Sequence, residues 1–126
     1  MEGPFCPRYH HAVELIGRRW TGAILRAMFA GATRFCELTG AVPDLSDRML
    51  SERLKELEVE GIVVRQVQRE PTSRIEYHLS DKGRALEPVL NALATWAETW
   101  VSAPDADSTA GGDTAAASGP ERPLPR

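Results

Sequence analysis

Cysteine and long apolar runs are both scarce in this chain of 126 residues. The two cysteines, Cys6 and Cys36, are too few for a disulfide framework and too far apart for a zinc motif. No apolar run approaches the roughly 18 residues that span a bilayer, and the N-terminus lacks the basic and apolar segments of a signal peptide. We therefore expect a cytoplasmic protein that does not associate with membranes.

Enzyme motifs are missing as well. The chain has no phosphate-binding glycine loop, no Gly-x-Ser-x-Gly elbow and no cluster of metal-ligating side chains. Cys6, His10 and His11 could serve as soft ligands, but their spacing fits no standard zinc site. The sequence therefore predicts a protein that is not an enzyme and that binds no metal or cofactor.

The excess of positive charge that is expected of a DNA-binding protein is also absent. The formal net charge is −3, of which four acidic and two basic residues in 104–126 contribute −2, leaving −1 for residues 1–103. A near-neutral domain can still carry a basic stripe on one face. The charge balance therefore does not by itself argue for DNA binding.

The composition of the chain changes near residue 104. Residues 104–126 contain one leucine and no aromatic residue, so they cannot bury enough apolar area to offset the entropy lost on ordering. We predict one folded domain over residues 1–103. A disordered tail is expected over residues 104–126.

The apolar spacing of the first forty residues predicts three helices. A short helix is expected over Tyr9–Gly17, and a buried one over Trp20–Ala30, which Gly31 would end. Thr33 is the expected N-cap of a third short helix, which contains Phe35.

The fourth predicted helix follows a turn at residues 43–45. Ser46 is a favourable N-cap, and the helix should extend to about Glu60 and end at Gly61. The apolar residues on its core-facing side are spaced i, i+4, i+7, and they are Leu50, Leu54 and Leu57.

After Gly61 the period of apolar residues changes to that of strands. Residues 62–67 are mostly β-branched, residues 68–73 have the polar composition and the proline of a hairpin loop, and residues 74–79 alternate polar and apolar side chains. Ser80 should then cap a long C-terminal helix, which Pro88 should kink because it removes a backbone hydrogen bond.

The sequence predicts two short helices that are joined by a tight turn and followed by a hairpin. This order of elements indicates that residues 1–103 form a winged helix-turn-helix DNA-binding domain, a mainly α fold with a small β-hairpin. In this fold the second helix enters the major groove, where all four base pairs can be distinguished, and the hairpin or wing lies beside the duplex. Double-stranded DNA is therefore the expected partner.

Projection of the helix over residues 46–60 identifies the candidate DNA contacts. With the leucines facing inward, Arg48, Glu52 and Lys55 face outward and Ser51 lies on the flank. Arg48 in the first turn is the expected base contact, and Lys55 and Arg53 suit phosphates. The remaining candidates are three wing arginines and one weaker phosphate contact before the third helix: Arg65, Arg69, Arg74 and Arg34.

Acidic residues on the same helix favour an alternative function. Asp47, Glu52, Glu56, Glu58 and Glu60 would repel phosphate unless they were turned away or paired, for instance Glu52 with Lys55 and Glu56 with Arg53. A winged helix used only for protein–protein contacts therefore stays open, since a fold does not dictate function.

The ordered set of motifs resembles the HxlR family of transcription regulators. The resemblance extends from Cys6 to about Val101 and rests on Cys6-Pro7, Gly17-Arg18-Arg19-Trp20, Arg34-Phe35-x-Glu37-Leu38, Pro43-x-Leu45-Ser46, Arg48-x-Leu50-Ser51-x-Arg53-Leu54, Glu76-Tyr77-x-Leu79-Ser80 and Leu86-x-Pro88-Val89-Leu90.

This resemblance implies a homodimer formed by the first and last helices, a palindromic operator, and control of transcription, with repression as the expected mode. It marks Ser46, Arg48, Ser51 and Arg53 as DNA contacts, with the wing arginines behind them. Because Arg53 projects near the core flank of the helix, a phosphate or intramolecular role is expected for it rather than base reading.

The resemblance also makes Cys6 a candidate sensor of thiol-reactive compounds. Basic side chains nearby, from Arg8, Arg18 or a protonated histidine, would favour the reactive thiolate. The alternative is that Cys6 only packs at the dimer contact, whereas Cys36 is expected to pack as a small hydrophobic residue. A small-molecule effector beside the three tryptophans is a further option, although aromatic residues at helical spacing more often form a core or an interface.

Overall fold

The computed structural model describes residues 3–103, and within this range it contains six helices and two strands. In chain order they are α1 (Pro7–Ile16), α2 (Thr21–Phe29), α3 (Phe35–Ala41), α4 (Asp47–Val59), β1 (Val63–Gln68), β2 (Arg74–Leu79), α5 (Asp81–Arg84) and α6 (Glu87–Trp100). The predicted mainly α fold with one β-hairpin is confirmed. The tail predicted over residues 104–126 lies outside the described residues.

The chain divides after Asn91 into two units. The first unit contains α1 to α5, the hairpin and the start of α6, and the second begins at Ala92 with the remainder of α6. The predicted domain boundary near residue 103 stays a prediction.

The core of the first unit is built mainly from α2, α3 and α4. Its buried apolar side chains include Ile24, Leu25, Met28, Leu38, Leu50, Leu54, Leu57, Ile62, Val63 and Leu90. Each large aliphatic side chain that is removed from water contributes about 1.5–3 kcal/mol to folding. The predicted leucine stripe of α4 is confirmed, and its burial fixes which side of α4 faces outward.

Helix α4 begins and ends as its sequence predicts. The Ser46 hydroxyl oxygen accepts the backbone N–H of Met49 at 3.1 Å, which satisfies one donor of the first turn. At the other end Gly61 has a left-handed φ of 80°, and the N–H of Ile62 donates to the carbonyl of Leu57 at 2.9 Å. This arrangement needs glycine, because a side chain is disfavoured in the left-handed region.

The prediction that Thr33 caps the third helix is wrong. Glu37 Oε1 accepts the backbone N–H groups of Thr33 at 2.8 Å and of Arg34 at 3.0 Å, and α3 starts at Phe35. These two hydrogen bonds hold the pKa of Glu37 below its ordinary value. The carboxylate binds the backbone N–H groups of the N-cap residue Arg34 and of the residue before it, which is the part of a capping box supplied by the third helical residue.

The single kinked C-terminal helix is also wrong, because the structure has two helices there. Ser80 caps the short α5, where its hydroxyl oxygen accepts the N–H of Gly83 at 3.1 Å. Pro88 is the second residue of α6, a position whose backbone donor has no partner within the helix. Since proline cannot donate to the carbonyl four residues earlier, the chain ends one helix and begins another.

The hairpin pairs β1 with β2 in antiparallel register from Val63 opposite Leu79 to Gln68 opposite Arg74. The second strand has its predicted bounds, and the first begins one residue later than expected. The N–H of Tyr77 donates to the carbonyl of Thr33 at 2.7 Å, which attaches the wing to the segment before α3. The base of the wing is therefore held beside the helix-turn-helix.

Candidate nucleic-acid interface

The outward face of α4 carries most of the predicted contacts. Arg48, Ser51, Glu52 and Lys55 are exposed on the side opposite the buried leucines. The Arg48 side chain is 89% exposed and lies in the first turn of the helix. Because packing of the leucines fixes the rotation of α4 about its axis, it also fixes the direction in which these side chains leave the helix.

Ser46, another predicted contact, is exposed and has a structural role. Its hydroxyl oxygen accepts the N–H of Met49, so the hydroxyl hydrogen can still be donated to a phosphate oxygen. Ser46 therefore caps the N-terminus of α4 and also places a polar group there, at the end of the helix that is expected to reach DNA.

Three acidic side chains on α4 and directly after it lie beside basic side chains of the same chain. Glu52 Oε2 lies 3.5 Å from Arg48 Nε, Glu56 Oε2 lies 2.9 Å from Arg53 Nη1, and Glu60 Oε2 lies 2.8 Å from His11 Nε2. The expected pairing of Glu56 with Arg53 is present, whereas Glu52 pairs with Arg48 rather than with Lys55. These contacts reduce the repulsion that the carboxylates would exert on phosphate.

Arg53 points inward, unlike the other predicted contacts. It is 8% exposed, and its Nε donates to the backbone carbonyl of Arg19 at 2.9 Å. Both this hydrogen bond and the ion pair with Glu56 are intramolecular. Arg53 therefore makes intramolecular contacts, one of the two roles expected for it, and a contact of Arg53 with DNA stays a prediction.

The three wing arginines differ in whether their side chains are free to contact DNA. Arg65 on β1 and Arg69 in the hairpin loop are exposed. Arg74 Nε lies 2.8 Å from Glu76 Oε2, and His78 Nε2 lies 2.9 Å from the other oxygen of the same carboxylate. The hydrogen bonds from Arg74 and His78 hold the pKa of Glu76 below its ordinary value, so this carboxylate neutralises part of the charge that Arg74 would bring.

Arg34, the weaker phosphate candidate, is exposed at the N-cap position of α3. Its backbone N–H is already bonded to Glu37. The exposed side chains of Arg34, Arg65 and Arg69 lie on the segment before α3 and on the wing, and the Tyr77–Thr33 hydrogen bond joins these two segments.

The two cysteines occupy different environments. Cys6 is half-buried at the N-cap of α1, and its carbonyl accepts the N–H of His10 at 2.9 Å. Cys36 is exposed on α3, so the expectation that it packs as a small hydrophobic residue is wrong. Its position in the first turn of the helix, beside the more buried Phe35, leaves its thiol at the surface.

Sequence patterns did not identify His11 and Arg18 as partners of α4. Arg18 Nη2 lies 3.0 Å from Glu56 Oε2, and both residues line a groove of about 980 Å³ between α1 and α4. Helical periodicity alone carries no signal for such pairs, because they join residues about 40 or more positions apart.

Residues 3–103 contain neither a cluster of metal ligands nor a membrane-spanning helix. No group of three or more histidine, cysteine or acidic side chains in this range is arranged to hold a metal ion. No helix of the described part is long and apolar enough to cross a membrane.

Comparisons with known proteins agree on one family. The profile of the HxlR-like helix-turn-helix family matches residues 15–105. The chain is 47% identical over 100 residues to the HTH-type transcriptional regulator YvaP of Bacillus subtilis, a match that covers 79% of this chain and 93% of YvaP. It is 42% identical over 98 residues to the HTH-type transcriptional regulator YodB of the same organism, covering 78% of this chain and 88% of YodB.

Solved structures lead to the same family. The reduced form of YodB from B. subtilis superposes with a TM-score of 0.72 at 40% identity, covering 81% of this chain and all of that one. The redox regulator HypR in its oxidized form superposes with a TM-score of 0.70 at 35% identity, covering 78% and 100%. The chain belongs to the HxlR-like helix-turn-helix family of DNA-binding transcription regulators.

Proposed function

We propose that this regulator reads its operator through the outward face of α4 and contacts the flanking backbone with the wing. The observation that carries the proposal is the burial of Leu50, Leu54 and Leu57, which directs Arg48, Ser51 and Lys55 outward. An arginine in the first turn of a recognition helix can donate two hydrogen bonds to one guanine. Lys55 and the exposed Arg65 and Arg69 supply charge for phosphates, which gives affinity without specificity.

We also propose that the protein acts as a homodimer through α1 and α6. None of the residues of α1 is buried, although Tyr9 and Val13 are apolar or aromatic. Leu93 and Trp96 of α6 are likewise more than half exposed. Several exposed apolar side chains on α1 and α6 favour burial of these side chains against a second copy of the chain. A two-fold dimer presents two copies of α4 to a palindromic operator.

Dimerisation is tested by the molar mass of the purified protein in solution. Light scattering coupled to size exclusion should give twice the mass of one chain, and Trp96→Glu should shift it toward the monomer because a charge would be buried at the contact. A monomeric wild-type protein at micromolar concentration would contradict this part of the proposal.

Electrophiles are the proposed effectors, and Cys6 is the proposed sensor. The support comes from the half-buried position of Cys6 at the start of α1 and from the similarity to YodB, which has been crystallised in diamide-treated and quinone-bound forms. Oxidation or alkylation of a thiol at the start of a proposed dimer helix would alter that contact and with it the operator affinity. Diamide should weaken the operator complex of the wild type and of Cys36→Ser, but not that of Cys6→Ser.

The experiment that tests the central proposal is a gel shift with the intergenic DNA beside the gene of this protein. A discrete complex is expected, and its affinity should fall steeply with salt because phosphate contacts release counterions. Deletion of the gene should raise transcription from the bound promoter if repression, the proposed mode, is correct. Such a regulator would act in the bacterial cytoplasm, and its role would not be enzymatic.

The alternative function is a winged helix that contacts only proteins. The acidic residues of α4 are the observation that favours it, although Glu52, Glu56 and Glu60 are paired with basic side chains of the same chain. Absence of any complex with the intergenic DNA at low salt would favour this alternative.

A further inference from the structure

Arg53 is a buried cation on the helix that is proposed to read DNA. It is 8% exposed, and its guanidinium makes two hydrogen bonds, from Nε to the Arg19 carbonyl and from Nη1 to Glu56 Oε2, each 2.9 Å long. A charge that is removed from water is stable only when such partners are present. The burial and the two bonds therefore indicate a role inside the protein.

The partners of Arg53 belong to one small network. Glu56 accepts from Arg53 and also lies 3.0 Å from Arg18 Nη2. Arg18 and Arg19 lie in the turn at residues 17–20 between α1 and α2. The network therefore joins α4 to this turn in two ways: Arg53 donates to the Arg19 backbone carbonyl, and Arg53 and Arg18 share the Glu56 carboxylate. The planar guanidinium of Arg53 can reach both of its acceptors in fixed directions.

The turn that Arg53 holds contains an unfavourable backbone conformation. Trp20 has a φ of 77°, in the left-handed region, which is a rare conformation for a bulky residue. Its ring is partly buried against the core, with the guanidinium carbon of Arg19 5.2 Å from the ring centroid. Such a conformation persists only when the surrounding contacts enforce it. The carbonyl that Arg53 binds belongs to the peptide bond directly before Trp20.

We propose that Arg53 is a positioning residue that sets the place of α4 relative to the turn at residues 17–20, and that it does not touch DNA. The proposal replaces the DNA contact implied by the family resemblance, and it rests on the proposed function of α4 as the reading helix. Loss of the two hydrogen bonds should allow α4 to occupy other positions, so that only a fraction of the molecules can bind the operator.

The salt dependence of operator binding distinguishes the two roles. If Arg53→Gln leaves about one molecule in ten competent, the affinity falls about tenfold while the number of phosphate contacts stays the same. The slope of log affinity against log salt should then match the wild type. Lys55→Gln, which removes a proposed phosphate contact from the same helix, should instead make the slope less steep by about 0.9 for each half-site of the proposed dimer.

The variant Arg53→Lys also distinguishes a positioning role of Arg53 from a phosphate contact. Arg53→Lys keeps the charge but cannot hold two acceptors in fixed directions, so it should bind DNA no better than Arg53→Gln. A phosphate contact predicts the opposite, because lysine would restore it. Recovery of affinity in Arg53→Lys, or a slope that becomes less steep by about 0.9 for each half-site in Arg53→Gln, would overturn the proposal.

Glu56→Gln provides a second variant in case Arg53→Gln does not fold, which far-UV circular dichroism would reveal. It retains Arg53 and removes only the charge of the shared partner, so it should weaken binding in the same direction with an unchanged slope. The double variant should weaken binding by less than the sum of the single changes, because both residues act in one network. An unchanged affinity in Glu56→Gln together with full additivity would count against the network.

Hydrogen exchange tests the link without DNA. Amides of residues 18–24 should exchange faster in Arg53→Gln than in the wild type, because the turn loses the bond that orders it, whereas Lys55→Gln should leave them unchanged. Because this exchange measurement needs no DNA, it tests the positioning role even if the wild-type protein binds no operator. The failure of this inference can therefore be distinguished from the failure of the proposed function. Equal exchange in all three proteins would refute the positioning role.

Discussion

Replacement of Arg48 by alanine is the sharpest test of the proposed reading helix. The Arg48 side chain is 89% exposed in the first turn of α4, and in the free protein its Nε lies 3.5 Å from Glu52 Oε2. To reach a base, the guanidinium must leave this carboxylate. The net loss caused by the substitution is therefore the base contact minus the ion pair that is given up.

Both contributions have known orders of magnitude. A bidentate contact with guanine discriminates by about 1–3 kcal/mol, whereas an exposed ion pair four residues apart on a helix contributes about 0.3–0.5 kcal/mol. Arg48→Ala should therefore cost about 0.5–2.5 kcal/mol for each half-site, or roughly 2- to 70-fold in affinity. A symmetric dimer carries the change twice, so the free-energy cost would double if both half-sites are read alike.

Fluorescence anisotropy with a labelled operator, at one fixed salt concentration, measures this loss. Glu52→Gln should change the affinity in the opposite direction, because it releases Arg48 and removes a carboxylate that faces the phosphates. Arg26→Ala is the matched control, since Arg26 is an exposed arginine on α2 outside the proposed interface, and its substitution should leave affinity unchanged.

Two outcomes would refute the reasoning. If Arg48→Ala binds the operator as the wild type does, this side chain makes no energetically important contact. If it weakens binding to operator and to unrelated DNA equally, and makes the salt slope less steep, Arg48 contacts phosphate rather than a base.

Three further predictions concern stability. Leu54→Ala should lower the free energy of unfolding by about 2–5 kcal/mol in urea denaturation, because Leu54 is 2% exposed in the core, and a loss far below this would contradict its packing role. Gly83→Ala should destabilise although alanine favours helices by about 1 kcal/mol, since its Cβ would lie 2.3 Å from the Ile62 carbonyl oxygen; an unchanged melting temperature would contradict this clash. Because the folded-state pKa of Glu37 is below its ordinary 4.5, this carboxylate stabilises the fold above about pH 4.5 and ceases to do so as pH falls through the folded value. Glu37→Gln should therefore melt below the wild type at pH 7, and this difference should shrink as the pH falls below 4.5 and the wild-type carboxylate takes up its proton; a difference that does not change with pH would contradict the cap.

The order and type of the main elements could be predicted because each is encoded locally. The leucine spacing of α4, the serine cap at its start and Gly61 at its end depend on residues within four or five positions of each other. The alternation of residues 74–79 likewise specified the second strand. Where two local signals competed, the prediction was wrong: Arg34, and not Thr33, is the N-cap of α3, and Pro88 lies in the first turn of a new helix instead of kinking a longer one.

The availability of charged groups could not be predicted to the same extent. Helical projection placed Arg48, Ser51 and Lys55 outward, as the structure does, because it needs only the rotation of one helix. It left Arg53 near the core flank and could not name the Arg19 carbonyl as its partner, since the two residues are 34 positions apart. The pairing of Glu60 with His11, 49 positions away, is another contact of this kind.

By itself, the sequence determined the order and type of most helices and strands, which face of α4 is apolar, and which family the chain belongs to. These properties follow from short-range hydrogen bonding and from the period of apolar residues, both of which can be read along the chain. Only the tertiary structure decided which cations remain available for DNA, because it brings α4 to the turn at residues 17–20, where Arg53 meets the Arg19 carbonyl and Glu56 meets Arg18. A side chain whose hydrogen-bond acceptor and opposite charge both belong to the protein is held in place, and no local sequence pattern indicates such contacts.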